Sequence, residues 1–199
     1  NWPEIVQHFA QPPATAKDRE KWSDDATNST KRYCALVPSH FLPMDAPTAA
    51  HGRNGKGYSR CNQNVLGKDL LILDIDNDAS KERPTLTVEQ ALSLFGEYEF
   101  FLYTSYNHRN PAKGDVDKFR MIFPLATYCS KTDWELRREA MKALWPFADP
   151  ASFVLSQYFF TPVVHPDRAS TYQQHHNVGK WLDWSEIATK AQYSPVFRP

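Results

Sequence analysis

The chain lacks an excess of charge of either sign. Its 199 residues carry 23 Lys and Arg against 23 Asp and Glu, so the formal net charge is zero. That balance excludes a polybasic protein that binds nucleic acid with its whole surface, although it leaves room for a local basic strip. Long apolar runs are missing as well. Stretches such as 70–73 and 100–103 fall far short of the roughly 20 residues that a membrane-crossing helix needs, so no membrane partner is expected. Cysteine is scarce: Cys34, Cys61 and Cys129 are odd in number, far apart and in no C-x-x-C pair. This usage fits a reducing, cytoplasmic setting better than a disulfide scaffold. The opening residues hold no basic stretch followed by an apolar core, as a secretory signal would. Residue 1 is Asn rather than Met, so a piece of a longer protein is expected.

Several motifs are also missing. There is no G-x-x-x-x-G-K-[ST] phosphate loop and no G-x-S-x-G elbow. Cys34, His40, His51, Cys61, His165, His175 and His176 do not have the spacing of a structural zinc finger. No internal repeat or low-complexity tract occurs.

What is present suits one domain with a sizeable core: 41% hydrophobic and 14% aromatic residues in a chain of this length. Fifteen prolines punctuate the elements. The pattern predicts a short helix over 15–22, a strand over 32–41 and a loop over 46–68. A buried strand is expected over 70–76, then a helix over 88–95 capped from Thr85. Strands follow at 99–105, 119–125 and 153–164. Ser130 is placed to cap a helix running to Trp145, and a last helix is expected over 184–192. Strands that end in polar residues, interspersed with helices, indicate an α/β or α+β fold.

The sharpest motif is LLILDID, residues 70–76. In a strand, i and i+2 share a face, so Asp74 and Asp76 lie side by side while Leu73 and Ile75 point the other way. Two adjacent carboxylates repel, and one is pushed toward protonation unless a cation sits between them. A divalent ion resolves this, and hard oxygen ligands favour Mg²⁺ or Mn²⁺. Similar strand-plus-DxD patterns occur in haloacid-dehalogenase-type phosphatases and in glycosyltransferases. Ser105 and His108 follow at the end of the next strand (YTSYNH, 103–108), where a histidine can bond a phosphate oxygen. Lys118 and Arg120 share one face of the third strand and form a polyphosphate clamp opposite the acids. Asp149 precedes Pro150 and is placed to supply a third carboxylate, with Ser156 and Gln157 near the same cleft.

The motifs LLILDID (70–76), YTSYNH (103–108), KFRMIFPL (118–125) and ADPASFVLSQYFFTPVV (148–164) occur in an order that resembles the archaeo-eukaryotic primase superfamily. Within it, the chain is similar to the primase-polymerase domains of phage and plasmid replication proteins, from about residue 70 to about 185. The resemblance implies an α+β fold, with an RRM-like antiparallel palm beside a small α/β lobe and a cleft between them. It implies one catalytic domain over 1–199, making or extending DNA primers by template-directed nucleotidyl transfer. Asp74, Asp76 and Asp149 would hold catalytic Mg²⁺ or Mn²⁺, and His108 would contact the incoming phosphates. Ser105, Lys118, Arg120, Ser156 and Gln157 would complete the nucleotide site. Members of the family often carry Arg where Gln157 stands. Implied partners are single-stranded DNA template, nucleoside triphosphates and a fused or associated helicase. Two alternatives remain open at this point: a metal-dependent phosphatase or nuclease using Asp74 and Asp76, and a non-catalytic replication-initiator module that binds DNA.

Residues 46–68 carry Arg53, Lys56, Arg60 and Lys68 with no acid, a local charge of +4, and 108–120 carry a net +2. Arg53, Lys56 and Arg60 are accordingly assigned to nucleic-acid binding. The expected outcome is weak binding of a labelled oligodeoxynucleotide that falls as salt rises, with log K dropping by roughly 0.7 per decade of salt for each phosphate neutralised. Fluorescence anisotropy across a salt series checks it.

Overall fold

The apolar run with a polar end at 70–76 marks a strand around which the acidic and basic side chains are arranged. The computed structural model describes residues 1–11, 14–15, 35–43, 49–50 and 60–187. Its elements are α1 (Trp2–Phe9), β1 (Ala14–Thr15), β2 (Ala35–Leu36), β3 (Ser39–Phe41), β4 (Val65–Asp76), α2 (Val88–Leu94), β5 (Phe100–Thr104), β6 (Lys118–Ser130), α3 (Lys131–Leu144), β7 (Phe159–Phe160), β8 (Val163–Val164) and β9 (Gln174–Asn177). The fold is mixed α+β.

Five strands form an antiparallel sheet in the order β3-β4-β6-β5-β9. Since β6 is antiparallel to both neighbours, β4 and β5 run parallel to each other with β6 inserted between them. The connection from β4 to β5 runs through α2. Two short pairs complete the topology, β1 with β8 and β2 with β7.

The sheet has two buried faces because its strands are nearly continuous in apolar residues. On one face Leu71, Leu73, Ile75, Leu102, Met121 and Phe123 pack against Val88 and Ala91 of α2 and Trp134 and Met141 of α3. On the other, Leu70, Ile72, Phe101, Tyr103 and Ile122 pack against Trp2 and Phe9 of α1 and Phe159 of β7. Asp74 and Asp76 continue this second face past the end of its apolar cover.

Local chemistry explains most departures from the expected elements. The helix at 2–9 was not anticipated from a polar, Pro-interrupted start, yet Asn1 and Glu4 form a capping box and Pro3 sits in the first turn. Thr87, not Thr85, caps α2: its hydroxyl accepts from the N–H of Gln90, whose side chain accepts from the N–H of Thr87. Ser130 caps α3 as expected. β4 starts at Val65 rather than 70, and β6 extends to Ser130. Gly67 lets them meet, because a Cβ there would lie 2.4 Å from the Cys129 carbonyl oxygen and the Tyr128 hydroxyl. The single strand expected over 153–164 is instead the end of a 3-10 turn, Pro150–Phe153, followed by β7 and β8, with Pro162 between the two short strands. Residues 35–41 hold two short strands broken at Val37 and Pro38. The loop 46–68 is described only at 49–50 and from 60, and helical residues are described at 184–187. Most of the helix expected over 15–22 lies outside the described residues. Among the described residues no helix is long and apolar enough to cross a membrane.

A buried polar hub locks the end of β4. Asn77 Nδ2 donates to the carbonyls of Leu86 (2.7 Å) and Asp117 (2.8 Å), and its Oδ1 accepts from the N–H of Leu86 (3.1 Å). The Asp117 carboxylate accepts from the N–H of Val88 at the start of α2 and pairs with Arg109 at 3.0 Å. Truncating Asn77 orphans these groups in the interior. The Asn77→Ala variant is expected to lose about 2–3 kcal/mol of stability, read as a lower urea midpoint at unchanged slope.

Candidate functional site

Antiparallel pairing brings the acids and bases of the two long strands together. Asp74 lies opposite Arg120, and Asp76 opposite Lys118. Arg120 grips Asp74 with two prongs, Nε at 3.1 Å from Oδ1 and Nη2 at 3.4 Å from Oδ2. Lys118 Nζ donates to Asp76 Oδ1 at 2.6 Å.

The third acid arrives through the backbone. β3 pairs only with Val65–Lys68, so the edge of β4 is open further along. There the Asp74 carbonyl accepts from the N–H of Asp149 at 2.7 Å, and Ser152 Oγ accepts from the Asp74 N–H at 2.9 Å. Asp149 Oδ1 caps the following 3-10 turn by accepting from Ala151, leaving Oδ2 to face cations. Two of these come from the β4–α2 connection. Lys81 Nζ lies 2.7 Å from Asp76 Oδ2 and 3.7 Å from Asp149 Oδ2, and Arg83 Nη1 lies 3.2 Å from Asp149 Oδ2. Four cationic side chains thus face three carboxylates.

The carboxyls of the two strand aspartates are shifted in opposite directions. Burial pushes the Asp74 carboxyl above the usual range; Arg120 opposes this, while the nearby Asp76 and Asp149 reinforce it. Burial acts on Asp76 in the same sense, but hydrogen bonds from Lys118 and Lys81 outweigh it and hold that carboxyl below its ordinary value. The Asp76 pairing therefore stabilises the fold above the ordinary carboxylate pKa and is lost as pH falls through the lowered one.

A cavity of about 220 Å³ opens on this cluster. One wall is Asp74, Asp76, Lys118 and Arg120. Ser105, Tyr106 and Asn107 form a second, and Phe160, Thr161 and Val163 a third. The Phe160 carbonyl anchors the last wall, accepting from Tyr103 Oη at 2.8 Å and from Arg120 Nη1 at 3.1 Å. Burial pushes the Tyr103 hydroxyl up to about 12, so it stays a donor near neutral pH.

Of the residues singled out in the sequence, Asp74, Asp76, Asp149, Lys118 and Arg120 fall in one cluster, and Ser105 lines the cavity beside them. His108 lies behind the wall, 3% exposed, with Nδ1 accepting from the N–H of Lys118 at 3.2 Å. Burial, opposed by Asp117 and assisted by Arg109, lowers its pKa below the ordinary histidine value, so the neutral ring carries its proton on Nε2. Ser156 and Gln157 do not line the cavity: Ser156 N–H donates to Asn62, and Gln157 Nε2 donates to the carbonyl of Tyr158. Arg60 joins this segment, donating to the Ser156 carbonyl at 3.0 Å and lying 4.0 Å over the Tyr158 ring. Arg53 and Lys56 lie outside the described residues. Lys81 and Arg83 stand in none of the sequence motifs. Their signal is spatial, as nothing in a Lys-Glu-Arg-Pro loop marks which way its cations turn.

Hard carboxylate oxygens suit Mg²⁺ or Mn²⁺. Among the described residues no three acidic, His or Cys side chains are grouped closely enough to hold an ion directly. Yet one ammonium, that of Lys81, contacts both Asp76 and Asp149, so these two carboxylates can reach a common cation.

Removing one partner of the Asp74–Arg120 pair leaves a largely buried charge uncompensated. Arg120→Met is expected to destabilise the fold by about 3 kcal/mol, and Asp74→Asn in the same chain to restore most of it. Urea unfolding of the two single variants and the double variant checks the cycle.

No family model, no curated protein and no solved structure matches this chain.

Proposed function

We propose that the chain is a metal-dependent nucleotidyltransferase of the primase-polymerase type, making or extending primers on single-stranded DNA from nucleoside triphosphates. One observation carries this reading. Asp149, read as the third acid from a position 75 residues beyond Asp74, is joined to it by a 2.7 Å backbone hydrogen bond. Three carboxylates of the kind such a reaction needs thus meet at one strand end, next to a cavity lined by Lys118 and Arg120. The order of β4, α2, β5 and β6, with β6 inserted between parallel β4 and β5, supports an RRM-like palm.

In this reading Asp74, Asp76 and Asp149, drawn together from their present ion pairs, would hold Mg²⁺ or Mn²⁺, and the ion would supply activation of the attacking hydroxyl and neutralisation of charge on the α-phosphate. Lys118 and Arg120 hold the triphosphate oxygens as point charge and fork, respectively. Ser105 and Asn107 line the opposite wall, within the same cavity. His108 is one step removed: its neutral ring pins the Lys118 backbone and thereby the ammonium on Asp76. The basic segment around Arg60 meets template phosphates, and a helicase acts with the domain in replication.

The test is primer synthesis on single-stranded template with nucleoside triphosphates and Mg²⁺ or Mn²⁺. Templated products are expected from the native chain, with a loss of at least 100-fold in Asp74→Ala and Asp76→Ala. Extension that survives both substitutions overturns the reading. Hydrolysis of a phosphate ester without templated synthesis points to a phosphatase or nuclease, and DNA binding without either activity to an initiator module.

A further inference from the structure

Residues 77–84 cross from β4 to α2 without helix or strand. Asp78 folds them back on themselves: its Oδ1 accepts from both the N–H and the hydroxyl of Ser80, and its carbonyl accepts from the N–H of Lys81 at 3.0 Å. Lys81 is thereby turned toward the strand it has just left. Its ammonium reaches Asp76 at 2.7 Å and Asp149 at 3.7 Å, and so lies between two of the three carboxylates.

The two lysines on Asp76 are held differently. Lys118 belongs to β6, its side chain is 9% exposed, and it takes Oδ1. Lys81 takes Oδ2 from an irregular segment with its side chain 38% exposed, on a flexible four-carbon stem. The segment does not depend on that ammonium for its position. Arg83 ties it down through the carbonyls of Ala148 (3.2 Å) and Asp76 (3.3 Å) as well as through Asp149. Lys81 can therefore leave without the loop unravelling. A divalent ion held by both Asp76 and Asp149 would need the space the ammonium fills.

We propose that Lys81 is a built-in counter-cation that occupies the gap between Asp76 and Asp149 and competes with a divalent ion for it, so that this one side chain sets the metal affinity of the cluster. The inference rests on the reading of the three carboxylates as a metal site. It makes the cluster self-neutralising: the Asp76 and Asp149 charges stay paired until an ion displaces the ammonium.

The experiment is a Mn²⁺ titration of the whole chain, with free Mn²⁺ followed by electron paramagnetic resonance and no nucleotide present. Lys81→Met is expected to bind Mn²⁺ about fivefold more tightly than the native chain, the scale of one partly exposed ion pair. Lys81→Arg, which keeps the charge, is expected to bind no more tightly than the native chain. Asp76→Asn and Asp149→Asn weaken binding with either Lys or Met at 81. Lys81→Gln repeats the comparison should the Met variant fail to fold. If Lys81→Met and Lys81→Gln bind Mn²⁺ no more tightly than the native chain while the Asp variants still weaken it, the competition is overturned and the metal site stands. If neither the native chain nor the Lys81 variants bind Mn²⁺, both are overturned.

Discussion

The pairing register of β4 against β6 is the constraint on which the rest of this molecule depends. It sets Asp74 opposite Arg120 and Asp76 opposite Lys118 while Leu73 and Ile75 face the helices. A slip of one residue would turn the carboxylates into the core between Phe119 and Met121 and push Leu73 and Ile75 out. Apolar packing on both faces resists that slip, and the Asn77–Asp117 hub, one residue beyond each partner of the Asp76–Lys118 pair, resists it again. The same register leaves the far edge of β4 open where β3 stops, and the 149–152 turn settles there.

Placing two aspartates on one strand face forces an electrostatic choice, which is resolved unequally. Asp74 is the more deeply placed; burial raises its carboxyl even though Arg120 is wrapped on it. Asp76 has two lysines and is lowered. Neighbouring carboxylates whose protonation is driven in opposite directions are a feature of sites that handle charge rather than of inert surface.

What could be read from the sequence and what could not divides by the range of the interactions involved. The apolar run and polar end of 70–76 mark strand β4 and the shared face of its acids, because side-chain direction in a strand is a local rule. Ser130 announced α3 for a similar reason. Asp149 was legible as a candidate from its place before Pro150, but its backbone bond to Asp74 depends on β3 being short. The segment 153–164 reads as one aromatic strand, whereas Pro162 and two separate partners, β2 for β7 and β1 for β8, divide it. His108 is legible as a candidate from its place past the end of a strand, while the bond from the Lys118 N–H to its Nδ1 is a long-range contact that no local pattern marks. Lys81 and Arg83 went unnoticed because an irregular loop carries no periodicity from which direction can be inferred.

Two side chains, Tyr103 and Arg120, converge on the carbonyl oxygen of Phe160, fixing the third wall of the cavity through a main-chain atom. Such an anchor does not read the identity of the residue it holds. Substitution at 160 can reshape the cavity wall without loosening it, whereas change at 103 or 120 releases the wall whatever stands at 160. The cavity thus separates its shape, which the side chain at 160 sets, from its support, which the clamping side chains at 103 and 120 supply.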